Sequence, residues 1–138
     1  LVTRPDCLVV MFQEAYERYR PSLAEGGLLV LDQDLVKPDA GEGAFRAIPA
    51  TRLAEGLGKK IVANMVMLGF FTAVSGLVRR EAVEAALRAT LAPRLVDLNL
   101  RAFATGYDHA AGDTPPHPAL SPAGGEEKGE GALMASSQ

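Results

Sequence analysis

Tryptophan is absent from this chain, and cysteine occurs once, at Cys7. One thiol excludes an intramolecular disulfide, a CxxC redox pair and a self-contained cysteine-ligated zinc or iron–sulfur site. Its setting, Cys7-Leu8-Val9-Val10-Met11, suits a buried, inert thiol. The two histidines, His109 and His117, flank a Pro-rich segment with no second ligand at fixed spacing, which argues against metal binding there. Charge of one sign is scarce as well. The net charge is −3, and the segment from Asp108 onward, with five acids against Lys128, carries −4, leaving +1 for residues 1–107. A near-neutral body without Lys/Arg clusters interleaved with aromatics argues against a nucleic-acid partner. No apolar run is long enough for a membrane span. The candidate, Ile61 to about Val74, is broken by Asn64, Gly69 and Thr72 and falls short of the roughly 20 residues that cross a bilayer. Arg4, Pro5 and Asp6 stand where a signal peptide needs an apolar stretch, so a cytoplasmic protein is expected. Leu1 in place of an initiating methionine, with a strand almost at once behind it, leads us to expect a natural N-terminus further upstream.

With 48% hydrophobic and 22% charged residues over 138 positions, the composition suits one globular domain with an ordinary core. Cys7 to Met11 and Leu28 to Leu31 are short continuous apolar runs, the pattern of strands covered on both faces in a parallel sheet. Between them Gln13 to Tyr19 reads as a helix stopped by Pro21, with Tyr16 and Tyr19 on one side, and Gly26-Gly27 as the turn. Together these form a βαβ unit. A polar loop, Lys37 to Gly43, leads to a third strand at Ala44 to Ile48, closed by Pro49. Thr51 caps a short helix that ends at Leu57 before Gly58. A central buried helix follows from about Ile61 to Ser75, then an amphipathic helix from Arg80 to Leu91 with Val83, Leu87 and Leu91 on its apolar face. The last helix runs from Arg94 to about Thr105, with Leu95, Leu98 and Ala102 as its buried stripe. From Asp108 the composition turns to Gly, Pro, Ser, Ala and acid, so residues 108–138 are expected to be a disordered tail.

Few residues suggest chemistry. Gly56-Leu57-Gly58-Lys59-Lys60 superficially resembles a phosphate loop, but Leu53 stands where that loop needs its first glycine and Lys60 where it needs Ser or Thr. Glu14 suits a solvated helix face better than a general base, and Asp32 and Asp34, at a strand end where α/β folds bind ligands, suit a turn or cap. Asn64 is a lone amide in an apolar helix. It either hydrogen-bonds inside the fold or, with Met65 and Met67, faces another subunit, the methionines supplying adaptable contact area.

Three segments in order, Pro5 to Val36, Ile48 to Gly69 (IPATRLAEGLGKKIVANMVMLG) and Leu98 to Tyr107 (LNLRAFATGY), resemble the gamma subunit of 2-oxoacid:ferredoxin oxidoreductases, particularly the 2-oxoglutarate type. The resemblance covers most of residues 4–107. The family's Gly-rich strand–turn–helix and a later Arg-Gly-Gly segment would both precede Leu1, and Phe12 replaces an asparagine common at its position. The fold implied is a partial, three-layer α/β domain over residues 1–107, with a largely parallel sheet flanked by helices and a mostly helical C-terminal half.

The activity implied is CoA-dependent oxidative decarboxylation of 2-oxoglutarate or a related 2-oxoacid to acyl-CoA and CO2, with reduction of ferredoxin. Thiamine diphosphate, Mg²⁺ and [4Fe–4S] clusters would sit on alpha, beta and ferredoxin-like delta partner subunits, and this chain would carry no catalytic, cofactor-binding or metal-binding residue. Asn64, Met65 and Met67 are the candidates for subunit contact. Two alternatives stand beside this reading: an isolated α/β module binding a small ligand at its strand C-termini, and an inactive fragment with an exposed sheet edge.

Overall fold

The computed structural model describes residues 4–110. Three parallel strands, β1 (Cys7–Val10), β2 (Leu28–Asp32) and β3 (Arg46–Ile48), lie in the order β1-β2-β3, with Cys7 opposite Leu28 and Val30 opposite Arg46. All five residues of β2 are buried, because it is central and covered on both faces. Its side chains alternate. Leu28 and Val30 join Ile48 in one core, whereas Leu29 and Leu31 join Val10 in another.

Helix α1 (Gln13–Tyr19) covers the second face, where Tyr16, Leu23 and Val36 complete its core. Tyr19 does not share that face. It is 48% exposed while Tyr16 is buried, because α1 stops there and a 3-10 turn, Arg20–Ser22, turns the chain away at Pro21. The other face is covered by α2 (Ala50–Gly56), α3 (Ala63–Ser75) and α5 (Pro93–Ala110), and α4 (Arg80–Thr90) lies outside them. This is the expected three-layer α/β arrangement, with the C-terminal half helical. β3 begins at Arg46 rather than Ala44, and a 3-10 turn at Lys60–Val62 precedes α3.

Helix α3 ends where glycine allows it. Gly76 has φ 66°, a left-handed conformation that terminates the helix, and its N–H bonds the Thr72 carbonyl. Ala63, Val66, Met67, Phe70 and Val74 form the buried side of α3, set by helical spacing. They meet α5 through Ala102, Phe103, Gly106 and Ala110, all buried. That stripe sits one to two turns further along than the expected Leu95–Leu98–Ala102. Leu95 is exposed and Leu98 half-buried, because α5 packs on α3 through its C-terminal half.

Backbones approach closely at this crossing. A Cβ added to Gly69 would overlap the carbonyl oxygen of Phe103, and one added to Gly106 would overlap that of Val66. Burial of Val66, Phe70 and Phe103 at this seam contributes about 1.5–3 kcal/mol each.

On α4 only Leu87 is buried, with Val83 and Leu91 half-buried, because the helix touches the domain along a narrow edge. Arg80 holds it there. Its guanidinium pairs with Glu84 at 3.0 Å and Asp108 at 3.6 Å and lies 4.6 Å from the ring centre of Tyr107. Helix α5 therefore continues past the expected domain end at Tyr107, with Asp108 paired, His109 edge-on to Phe70 at 6.0 Å and Ala110 buried. The rest of the expected tail lies outside the described residues. No described helix is long and apolar enough to cross a membrane.

Candidate functional site: a cleft at the C-terminal ends of the strands

Asp32, the last residue of β2, is fully buried, and its carboxylate accepts four hydrogen bonds. Oδ1 accepts from the N–H groups of Asp34 (3.0 Å) and Leu35 (3.2 Å), and Oδ2 accepts from the N–H and the hydroxyl of Thr51, both at 3.0 Å. A buried carboxylate must be met in this way to offset its lost hydration. The turn reading of Asp32 is correct. Thr51 is not the helix cap, however: α2 begins at Ala50, and the cap reaches Thr51 from the neighbouring strand. One side chain thus fixes the turn after β2 and the first turn of α2 together.

Those two segments form one wall of an open cleft of about 620 Å³ beyond the C-terminal ends of the strands. Asp34, Leu35, Thr51, Arg52 and Glu55 line it on that side, and Met11, Phe12, Lys60, Ile61, Ala63 and Asn64 complete it. Its size lies within the range of ligand pockets, and its position is where open parallel sheets place binding sites. Arg52 grips Asp34 through two bonds of 2.9 Å, which holds the Asp34 carboxyl below the usual carboxylate range. The two charges neutralise each other at the rim.

Asn64 is exposed on the cleft wall rather than buried, and Met65 is half-buried against the core. Met67 is 3% exposed and belongs to the core of this domain, so it presents no surface to another subunit. The candidate contact face narrows to Asn64 and Met65. Glu14 is exposed in the first turn of α1. Gly58, at φ 102°, donates its N–H to the Glu55 carbonyl in a turn that ends α2, which accounts for the glycine-lysine motif as a helix terminus. Cys7 is half-buried rather than buried, and burial, followed by the nearby Asp6 charge, pushes its thiol up, away from the reactive thiolate. His109 reaches Phe70, while His117 lies outside the described residues.

A second polar cluster has no counterpart in the sequence reading. The carboxylate of Glu42, in the loop before β3, accepts the Tyr16 hydroxyl at 2.5 Å and the Arg20 guanidinium at 2.8–3.0 Å, and Asp39 donates its N–H to the Tyr16 oxygen at 3.0 Å. Gln13 adds bonds to both backbone groups of Lys37. The loop is strapped to α1. Arg20 holds the Glu42 carboxyl below its ordinary range against the opposing effect of burial, while burial and then Glu42 push the Tyr16 phenol up.

Among the described residues no three His, Cys, Asp or Glu side chains converge as metal ligands. This donor set does not fit an iron–sulfur cluster, which needs several thiolates, or a Mg²⁺ site, which needs clustered oxygen ligands.

Residues 1–109 match the family described as pyruvate ferredoxin/flavodoxin oxidoreductase. The chain belongs to this family. It is 38% identical over 113 residues to the 2-oxoglutarate synthase subunit KorC of Methanocaldococcus jannaschii, covering 79% of this chain and 60% of that protein. The gamma subunit of a keto/oxoacid ferredoxin oxidoreductase from Geobacter sulfurreducens has the same fold, with a TM-score of 0.71 and 38% identity, over 76% of this chain and 63% of that one. The ketoisovalerate oxidoreductase subunit VorA of Methanothermobacter thermautotrophicus is 30% identical over 113 residues, which are 79% of this chain and 24% of that protein. The chain thus spans about three-fifths of the KorC relative's length.

Proposed function

We propose that this chain serves as a gamma subunit of a 2-oxoacid:ferredoxin oxidoreductase, completing a cytoplasmic complex whose catalytic centres lie on its partners. The complex converts 2-oxoglutarate or a related 2-oxoacid, with coenzyme A, to acyl-CoA and CO2 and passes the electrons to ferredoxin. The observation that carries this reading is the 38% identity to a 2-oxoglutarate synthase subunit, joined to the fold shared with an oxoacid oxidoreductase gamma subunit. Thiamine diphosphate, Mg²⁺ and [4Fe–4S] clusters belong to alpha, beta and ferredoxin-like delta subunits. The role of this chain is to position those subunits and to help shape the coenzyme A or thiamine site from outside. Asn64 and Met65 are part of the contact surface.

Co-purification with thiamine-binding subunits, and loss of acyl-CoA formation when this chain is omitted, test the reading. Full activity of the other subunits alone would sink it.

The cleft beyond the strand ends favours a second reading, an α/β module that binds a small ligand there. A thermal-shift screen of the isolated chain with coenzyme A and nucleotides separates the two.

A further inference from the structure

Helix α4 is bound to the domain far more lightly than α3 and α5 are bound to each other. Among the described residues no backbone hydrogen bond joins α4 to either of them, and Leu87 is its one buried residue. Arg80 alone carries polar ties from α4 to α5, through Asp108 at 3.6 Å and the Tyr107 ring at 4.6 Å, among the described residues. Both ends of α4 are extended. Arg79 has ψ 143° and Leu91 ψ 148°, and Leu77, Val78 and Ala92 beside them are exposed. A few exposed residues at the ends of an element, holding no other contact in place, are what a hinge requires.

Release of α4 would strand no charge. Arg80 keeps its 3.0 Å pair with Glu84 one turn on within α4, and Asp108 is already exposed. The seam beneath is of another kind. There Gly69 and Gly106 meet the carbonyls of the opposite helix, and Val66, Phe70 and Phe103 are buried. Elements with few buried apolar contacts open locally, at a lower free energy than the core they rest on.

We propose that α4 is a hinged flap, anchored by Leu87 and latched by Arg80 on Asp108 and Tyr107, which opens as one unit while the sheet, α3 and α5 stay folded. Opening turns about residues 76–79 and 91–92 and uncovers the Tyr107 ring and the seat of Leu87. An 11-residue helix is marginal in water once its packing is lost, so release also unwinds α4 and gives its amides to solvent.

Amide hydrogen exchange of the full chain, read residue by residue by NMR, tests this. The amides of residues 84–90 are expected to share one protection factor, about a hundredfold or more below those of Phe70 and Phe103. Low concentrations of urea should change the α4 value little and lower the other two steeply, because opening α4 exposes little surface and global unfolding exposes much. Leu87→Asp should abolish protection across α4 while Phe70 and Phe103 remain slow. Asp108→Asn, which cuts the latch from the α5 side, should lower α4 protection about two- to fivefold, as for a partly exposed ion pair. Asp97→Asn is its control, since it removes the same charge from α5 at a residue paired with Arg101 of α5, and should leave α4 unchanged.

Amides of α4 that match Phe70 and Phe103 in protection and urea slope overturn the proposal, because α4 then opens only with the whole domain. Protection graded from one end of α4 to the other overturns it as well, since that is fraying rather than the opening of a unit. Loss of Phe70 and Phe103 protection in Leu87→Asp, or their lack of it in wild type, removes the folded frame against which a flap would move. Equal α4 exchange in Asp108→Asn and Asp97→Asn rules out the latch.

Discussion

Gly69 of α3 and Gly106 of α5 are each pressed against the other helix's backbone: a Cβ on Gly69 would strike the Phe103 carbonyl, and one on Gly106 the Val66 carbonyl. Neither obstacle is the flexible end of a side chain. Both helices would have to move apart, and with them Val66, Phe70 and Phe103, which fill the seam.

Gly69→Ala and Gly106→Ala should therefore each destabilise the domain by about 3 kcal/mol or more, the upper end for overpacking, despite the better helix propensity of alanine. Gly56, at the end of α2 with open space around it, is the control. Gly56→Ala should be neutral or stabilising by up to about 1 kcal/mol. Urea unfolding of the three variants checks the contrast. Equal midpoints for Gly69→Ala and Gly56→Ala would remove the close crossing from this account.

Asp32 holds both walls of one side of the cleft through four hydrogen bonds. Asp32→Asn keeps the shape but replaces one acceptor oxygen with a donor, which cannot serve two N–H groups on one side and the Thr51 pair on the other. Leaving buried donors unsatisfied costs about 1–3 kcal/mol, and that is the expected loss. Thr51→Val removes only the hydroxyl bond and should cost about 1 kcal/mol. Amide hydrogen exchange locates the effect: the N–H groups of Asp34, Leu35 and Thr51 should exchange faster in Asp32→Asn, whereas those of α5 should change least.

The strands were legible because β2 opens with a continuous apolar run, Leu28 to Leu31, between Gly27 and Asp32, and continuous burial is what a central parallel strand requires. The end of α3 was legible for the same local reason, since Gly76 stops it with a left-handed φ. The cleft was not. Asp32 and Thr51 are 19 residues apart and Tyr16 and Glu42 are 26 apart, and no short-range spacing encodes which turns a parallel sheet will bring together. Asn64 was left between two readings for a different reason. The run around it reads as apolar on all sides, but the helical period sends Val66, Met67 and Phe70 inward and leaves Asn64 beside exposed Ile61.

That placement separates two neighbouring substitutions. Asn64→Leu should leave the stability of the chain within about 0.5 kcal/mol of wild type, as for most surface changes. Met67→Ala, three residues on and in the core, should cost about 2–5 kcal/mol. Denaturation midpoints distinguish the two directly. A large loss in Asn64→Leu would mean that its amide is satisfied inside the fold after all.

The strap between Glu42, Tyr16 and Arg20 makes stability depend on pH at both ends. Glu42 has a lowered folded-state pKa, chiefly through its bonds to Arg20. Its contribution is therefore complete above the unfolded value and is lost as the pH falls through the folded one, a window that opens from about pH 5 downward. Tyr16 is shifted up, first by burial and then by Glu42, so its contribution is intact below the unfolded phenol value and is lost as pH rises through the folded value. Glu42→Gln keeps an acceptor for the Tyr16 hydroxyl but removes the carboxylate. The variant should be less stable than wild type at neutral pH, with the gap closing as the solution is acidified, because protonation removes the same charge from wild type. Urea midpoints for both proteins between pH 7 and pH 3 measure that gap, and a gap that stays constant across the range would separate acid sensitivity from this carboxylate.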